Sequence, residues 1–245
     1  MITLRSLGFR YPASVGDEYA LRSIDMEIKQ DSFCAVLGAN GSGKSTLARI
    51  LNALLLPCEG SLSVDGTTIE ADSRPDTETV NRIRCSVGMV FQNPENQIIG
   101  DTVEQDVAFG PENLALPEAE IRDRVEQALC LMGLEDLRKR NPRQLSGGQL
   151  QKLAIAGVLA LESRYIVLDE SLSMLDSASK AEVLENLRRL NREKNLGIIL
   201  ISHDIRDCIH ADDIHVLERG RIAMQGPAKT ILERKDELRA LGVRC

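Results

Sequence analysis

The chain has 245 residues, with 30 Lys and Arg against 37 Asp and Glu and a formal net charge of −7. That length suffices for a substantial core, and the acidic balance argues against a dedicated DNA or RNA backbone binder, so no nucleic-acid partner is expected. The longest apolar run, LAIAGVLAL at 153–161, is far short of the roughly 20 residues a membrane-spanning helix needs, and the N-terminus lacks the apolar stretch of a secretory signal.

In chain order, ITLRSLGFRY (2–11) and YALRSIDMEIK (19–29) alternate apolar and polar residues and predict two antiparallel strands. The apolar strand FCAVL (33–37) runs into GANGSGKS (38–45), and STLARILNALLL (45–56) has helical periodicity. Strands are expected at 61–66, 86–91, 165–169 and 197–202, with a hairpin over 213–226 turning at Arg219-Gly220. Between about 93 and 162 the pattern is helix after helix, which predicts a helical subdomain inserted into the core. The last stretch, 227–245, predicts one or two short surface helices. Near-continuous apolar strands separated by helices such as SKAEVLENLRRLNREK indicate an α/β fold with a mainly parallel sheet. We read 1–226 as one domain and 227–245 as a tail. Cysteines 34, 58, 85, 130, 208 and 245 form no C-x-x-C pair and are expected as free thiols of a reducing compartment.

The spacing G-x-x-x-x-G-K-S, placed between a strand and a helix, fits a P-loop NTPase core. Gly38, Ala39, Asn40, Gly41, Ser42 and Gly43 supply backbone amides to an anion, Lys44 reaches the β and γ phosphates, and Ser45 ligates Mg²⁺, with Thr46 following on the helix. The expected ligands are therefore a nucleoside triphosphate and Mg²⁺. YIVLDE (165–170) is an apolar strand ending in two acids whose side chains diverge. Asp169 suits the metal shell, and Glu170, just beyond the strand, suits a general base polarising the attacking water. LSGGQ (145–149) offers a second anion site at a helix start, through Ser146, Gly147, Gly148 and Gln149. One chain already has its phosphate loop, so a second γ-phosphate site invites a second protomer.

LSGGQ is the signature of ATP-binding cassette ATPases, and residues 2–226 resemble that family throughout, with an N-terminal antiparallel β subdomain and an inserted helical one. The resemblance implies a head-to-tail dimer in which each ATP lies between GANGSGKS of one chain and LSGGQ of the other. It also implies roles for single residues. Tyr11 is similar to the aromatic that stacks on adenine, with Phe9, Tyr19 or a plain core role as alternatives. Gln92 resembles the glutamine that touches Mg²⁺ and the water and links core to helical subdomain. Asp176 resembles the aspartate that crosses the dimer interface, and His203 the switch histidine on the γ-phosphate. His210 and His215 lack such support and read as structural or surface residues.

The run VFQNPENQIIGDTVEQDVAFGPENL and the segment AIAGVLAL resemble the ATPases of energy-coupling factor importers, which take up vitamins or transition-metal ions. The partners this implies are a second ATPase subunit, identical or paralogous, a transmembrane coupling protein and a substrate-binding membrane subunit, with the chain peripheral on the cytoplasmic face of the membrane. Glu95, just past Gln92, is expected to meet an arginine of the membrane partner, although a solvated acidic face with Asp101, Glu104, Asp106 and Glu112 is the plainer reading. The family has arginine where this chain has Lys152, and it continues past Leu241-Gly242-Val243 into a dimerisation segment, so dimerisation is expected to rest on ATP and the membrane partner. The rivals are the ATPase of another importer or exporter and a soluble cassette ATPase acting on DNA or ribosomes. The second would be expected to carry coiled coils, tandem cassettes or zinc modules.

Overall fold

In the computed structural model, residues 1–12, 19–71 and 73–245 are described. The described residues build two sheets. An antiparallel sheet, order β2-β1-β4-β5, is made of β1 (Ile2–Phe9), β2 (Leu21–Ile28), β4 (Glu59–Val64) and β5 (Thr67–Glu70). A six-stranded sheet, order β10-β9-β3-β8-β7-β6, contains β3 (Phe33–Gly38), β6 (Val87–Val90), β7 (Tyr165–Asp169), β8 (Gly197–Ser202), β9 (Asp213–Glu218) and β10 (Arg221–Pro227). All its pairings are parallel except the β9–β10 hairpin. Residues 61–64, read above only as a strand, thus belong to the antiparallel sheet, beside β1.

The near-continuous apolar strands are buried on both faces because helices cover both. Their side chains alternate between two cores. Cys34, Val36, Val167, Ile199 and Ile201 pack with α1 (Lys44–Leu51) and the antiparallel sheet, while Phe33, Ile166, Leu168, Ile198 and Leu200 pack with the helices of the opposite layer. The inserted subdomain is α3 (Val103–Asn113), α4 (Glu118–Met132) and α5 (Gly147–Ala160), which pack on one another, and α6 (Ser177–Lys194) follows β7.

Three local expectations change. Helix α1 stops at Leu51, because Ala53 takes a left-handed conformation at φ 53 and its amide turns back to Ile50, so Leu54 and Leu56 lie outside the helix. A helix with a polar composition, α2 (Thr77–Ser86), precedes β6 and is capped by Asp76. The tail forms α7 (Ala228–Glu233) and α8 (Lys235–Ala240), but these are not loose surface helices. Ile231, Leu238 and Val243 are buried against Leu37, Ile214 and Val216 in a third core. No helix among the described residues is long and apolar enough to cross a membrane.

Candidate active site

The site assembles along one edge of the parallel sheet, at the carboxyl ends of three adjacent strands, where open α/β sheets bind ligands. Register dictates this: Leu37 pairs with Ser202 and Asp169 with Ile201, which aligns Gly38, Asp169-Glu170 and Ser202-His203. Residues 38, 169 and 203 are far apart in sequence and meet only because β8 lies between β3 and β7.

The phosphate loop owes its shape to glycine. Gly43 sits at φ 105, and a Cβ there would come 2.6 Å from the carbonyl oxygen of Ala20; Gly41 is also left-handed, at φ 77. No side chain caps α1 and no acid stands in its first turn, so the leading amides and the positive helix end face an incoming anion. Lys44, buried except for 4 %, donates to the carbonyls of Gly38 and Ala39 at 2.9 Å each. Ser42 Oγ is buried without a hydrogen-bond partner among the described residues, and Gly220 N–H in the β9–β10 turn clasps the Ser42 carbonyl at 2.9 Å.

Asp169 and Glu170 divide their tasks. Asp169 Oδ1 accepts from Ser45 Oγ at 2.9 Å. Burial pushes the Asp169 carboxyl above the usual carboxylate range, against the pull of Ser45. A buried carboxylate whose charge is poorly solvated, beside a hydroxyl, is a hard-oxygen donor pair that suits Mg²⁺. Glu170 turns the other way, in a left-handed conformation (φ 48) that is rare for a non-glycine residue and typical of strained functional positions. Its Oε1 lies 3.4 Å from Lys44 Nζ, while Oε2 accepts from Gln92 Nε2 at 3.3 Å and lies 3.7 Å from His203 Nδ1. Lys44, Gln92, Glu170 and His203 therefore converge on one point. Among the described residues, the buried His203 Nδ1 makes no hydrogen bond.

Of the three aromatics, Tyr11 stands at the loop: its hydroxyl is 3.1 Å from Thr46 Oγ1 on α1 and its ring is partly exposed. Phe9 is buried, edge-on to Tyr11 at 4.9 Å, and Tyr19 is covered by the guanidinium groups of Arg10 and Arg22.

The remaining predicted residues are bonded within their own helices. Ser146 and Gln149 form a reciprocal capping box at the start of α5: Gln149 N–H donates to Ser146 Oγ at 3.3 Å, and Ser146 N–H to Gln149 Oε1 at 2.9 Å. Gly147 and Gly148 lie between them, next to Met174 and Leu175. The Asp176 carboxylate caps α6 by accepting from Ala178 and Ser179 N–H at 3.0 Å, and these bonds hold it below its ordinary range. None of these hydrogen bonds reaches Lys44, Asp169, Glu170 or His203.

Glu95 is exposed, as are Asp101 and Glu112. The other acids of that block have internal tasks: Glu104 pairs with Arg138 and Lys139, and buried Asp106 accepts from the amides of Ile99 and Gly100. Lys152 pairs with Glu182 on α6 at 3.0 Å. His210 lies 3.5 Å from Glu185, and His215 is buried, both away from the convergence point.

Two features went unread in the sequence. Gln97 accepts from Phe91 N–H at 3.2 Å and donates to the Ala154 carbonyl at 3.1 Å, tying the end of β6 to α5. The signal was present as the second glutamine of QNPENQ. Lys180 Nζ meets Asp207 at 3.0 Å, and Asp207 accepts from Ser202 Oγ at 2.7 Å, bracing the loop after β8 from α6. No motif marks that trio.

The family model "ABC transporter" matches residues 21–173. The energy-coupling factor transporter ATP-binding protein EcfA of Syntrophomonas wolfei is 45 % identical over 243 residues, covering 99 % of this chain and 86 % of that protein. The structure of cbiO1 from Clostridium perfringens, part of the ABC transporter complex cbiONQ, superposes with a TM-score of 0.84 at 36 % identity, covering 99 % of this chain and 94 % of that one. An ATP-binding cassette, MJ0796, solved as a post-hydrolysis dimer with ADP and phosphate, also gives 0.84, at 30 % identity, covering 93 % of this chain and 99 % of that one. By these matches the chain belongs to the ABC transporter family, among its energy-coupling factor ATP-binding subunits.

Proposed function

We propose that two ATPase subunits of this kind, identical or paralogous, clamp two ATP molecules and drive uptake of a vitamin or transition-metal ion through a transmembrane coupling protein and a substrate-binding membrane subunit. The chain then works at the cytoplasmic face of the membrane. The convergence of Lys44, Gln92 and His203 on Glu170, beside the Ser45–Asp169 pair, is the observation that carries this reading.

In the reaction, water attacks the γ-phosphate in line through a loose transition state, so positioning and charge stabilisation supply the catalysis. Lys44 and the amides of residues 38–46 bind and orient the triphosphate. Ser45, Asp169 and Gln92 would hold Mg²⁺, which when bound would neutralise charge on the phosphate oxygens. Glu170 takes up the proton of the attacking water, and His203 orients water and γ-phosphate. Tyr11 stacks on the adenine ring. Ser146, Gly147, Gly148 and Gln149 reach the γ-phosphate held by the partner subunit's phosphate loop, with the reciprocal cap leaving the glycine amides for that anion. Asp176 meets the partner across the interface from its place at the tip of α6, and exposed Glu95 pairs with an arginine of the coupling protein.

Affinity purification of the chain from solubilised native membranes tests the reading. Co-purification of a coupling protein together with a small substrate-binding membrane subunit is expected. Recovery of a dedicated importer or exporter channel, or of no integral protein, refutes the importer type.

A further inference from the structure

Residues 241–244 run directly behind two loops of the site. Gly242, left-handed at φ 76, passes so close to the phosphate loop that a Cβ there would stand 2.8 Å from Ala39 Cβ. Val243 is buried in the third core and its amide returns to the Leu238 carbonyl at 3.0 Å, so the segment has a fixed root. Arg244 then forms a parallel bridge with Asp204. Its N–H donates to the His203 carbonyl at 2.7 Å, and its carbonyl accepts from Ile205 N–H at 3.0 Å. Arg244 also lines the same cleft, of about 140 Å³, as Glu170 and His203.

This matters because His203 lies past the end of the β8 ladder, whose last pair with β3 is Ser202 with Leu37. The imidazole is 41 % exposed, and its buried Nδ1, 3.7 Å from Glu170 Oε2, makes no hydrogen bond among the described residues, so no side-chain hydrogen bond fixes its direction. What remains is the peptide that carries it: its N–H, that of Asp204, donates to Ser202 Oγ at 3.0 Å, and its carbonyl is held by Arg244. The Arg244 guanidinium contributes little: it is largely exposed and 3.9 Å from Asp204, which is already engaged by Arg206.

We propose that the main chain of Arg244, rooted by Val243, is a positioning element for His203, extending the sheet by one bridge so that the imidazole is presented to Glu170 and the γ-phosphate. The inference rests on the reading of His203 as a participant in hydrolysis.

Arg244→Pro removes the N–H donor, and Arg244→Ala keeps both main-chain bonds. Arg244→Pro is expected to lower kcat roughly 10-fold with the KM for ATP within about 2-fold, and Arg244→Ala to escape that loss. Hydrogen exchange at the Ile205 amide should accelerate in the proline variant only. In a His203→Ala background, itself down about 100-fold, Arg244→Pro should cost nothing more, because the segment acts through the imidazole. Should the proline variant fail to fold, the chain ended at Val243 removes the same two bonds while leaving the buried root. Impaired His203→Ala with unimpaired Arg244→Pro overturns the proposal alone, as does a full, additive loss in the double variant. Parental turnover in His203→Ala overturns the reading of His203 and the proposal with it.

Discussion

Replacing Glu170 with glutamine keeps shape and the bond from Gln92 and removes one charge and one proton acceptor. If Glu170 is the general base, turnover should fall about 10²- to 10⁴-fold, a barrier increase of roughly 2.7–5.4 kcal/mol. The ground state should hardly notice. Lys44 loses a neighbour at 3.4 Å but keeps two carbonyl acceptors at 2.9 Å, so it is not left unpaired. Asp169 loses a like charge that now adds to its raised proton affinity. ATP affinity should therefore be equal or tighter, since a carboxylate no longer faces the triphosphate. Single-turnover hydrolysis and equilibrium binding of a fluorescent ATP analogue, measured on the same preparation, separate the two effects. A kcat within about 3-fold of the parent would sink the assignment of Glu170, whereas a parallel loss of binding would mean that its role is to hold the loop.

Gly43→Ala forces a Cβ to within 2.6 Å of the Ala20 carbonyl at a left-handed position, and the strain of about 1–2 kcal/mol before any clash should weaken ATP binding at least 10-fold by isothermal titration. Gln97→Ala cuts the link between Phe91 and Ala154; basal ATP binding should persist within about 2-fold while transport in proteoliposomes falls several-fold, and unchanged transport would remove Gln97 from the coupling route. Burial lowers the proton affinity of His215 from its ordinary value of 6.5. Below pH 6.5 the unfolded chain then binds a proton that the folded chain refuses, so stability drops as pH falls from 6.5 toward the folded-state value. His215→Gln should flatten that stretch of the Tm-against-pH curve, and an unaltered slope would contradict the assignment.

Much of the molecule was legible in one dimension because its chemistry is written in short contiguous runs. GANGSGKS, YIVLDE and LSGGQ each combine a backbone requirement with side chains a few residues away, so spacing alone conveys a local geometry. The apolar strands read correctly for the same reason: burial on both faces leaves no polar alternation to misread. The short β5 and the polar α2 carried too little apolar periodicity to register. Helix α1 was read five residues too long, since apolar Leu54 to Leu56 continue its pattern while Ala53 turns the chain away.

By itself, then, the amino-acid order determined which groups we assign to holding a triphosphate and cleaving it, because those motifs depend on neighbours along the chain. Which of them meet was decided by strand order and register, which bring residues 38, 169 and 203 to one edge of the sheet. The same holds for the tail: a bridge between residues 204 and 244 is a product of where α8 packs, and no local pattern in either segment encodes a contact between backbone amides and carbonyls that any residue type supplies.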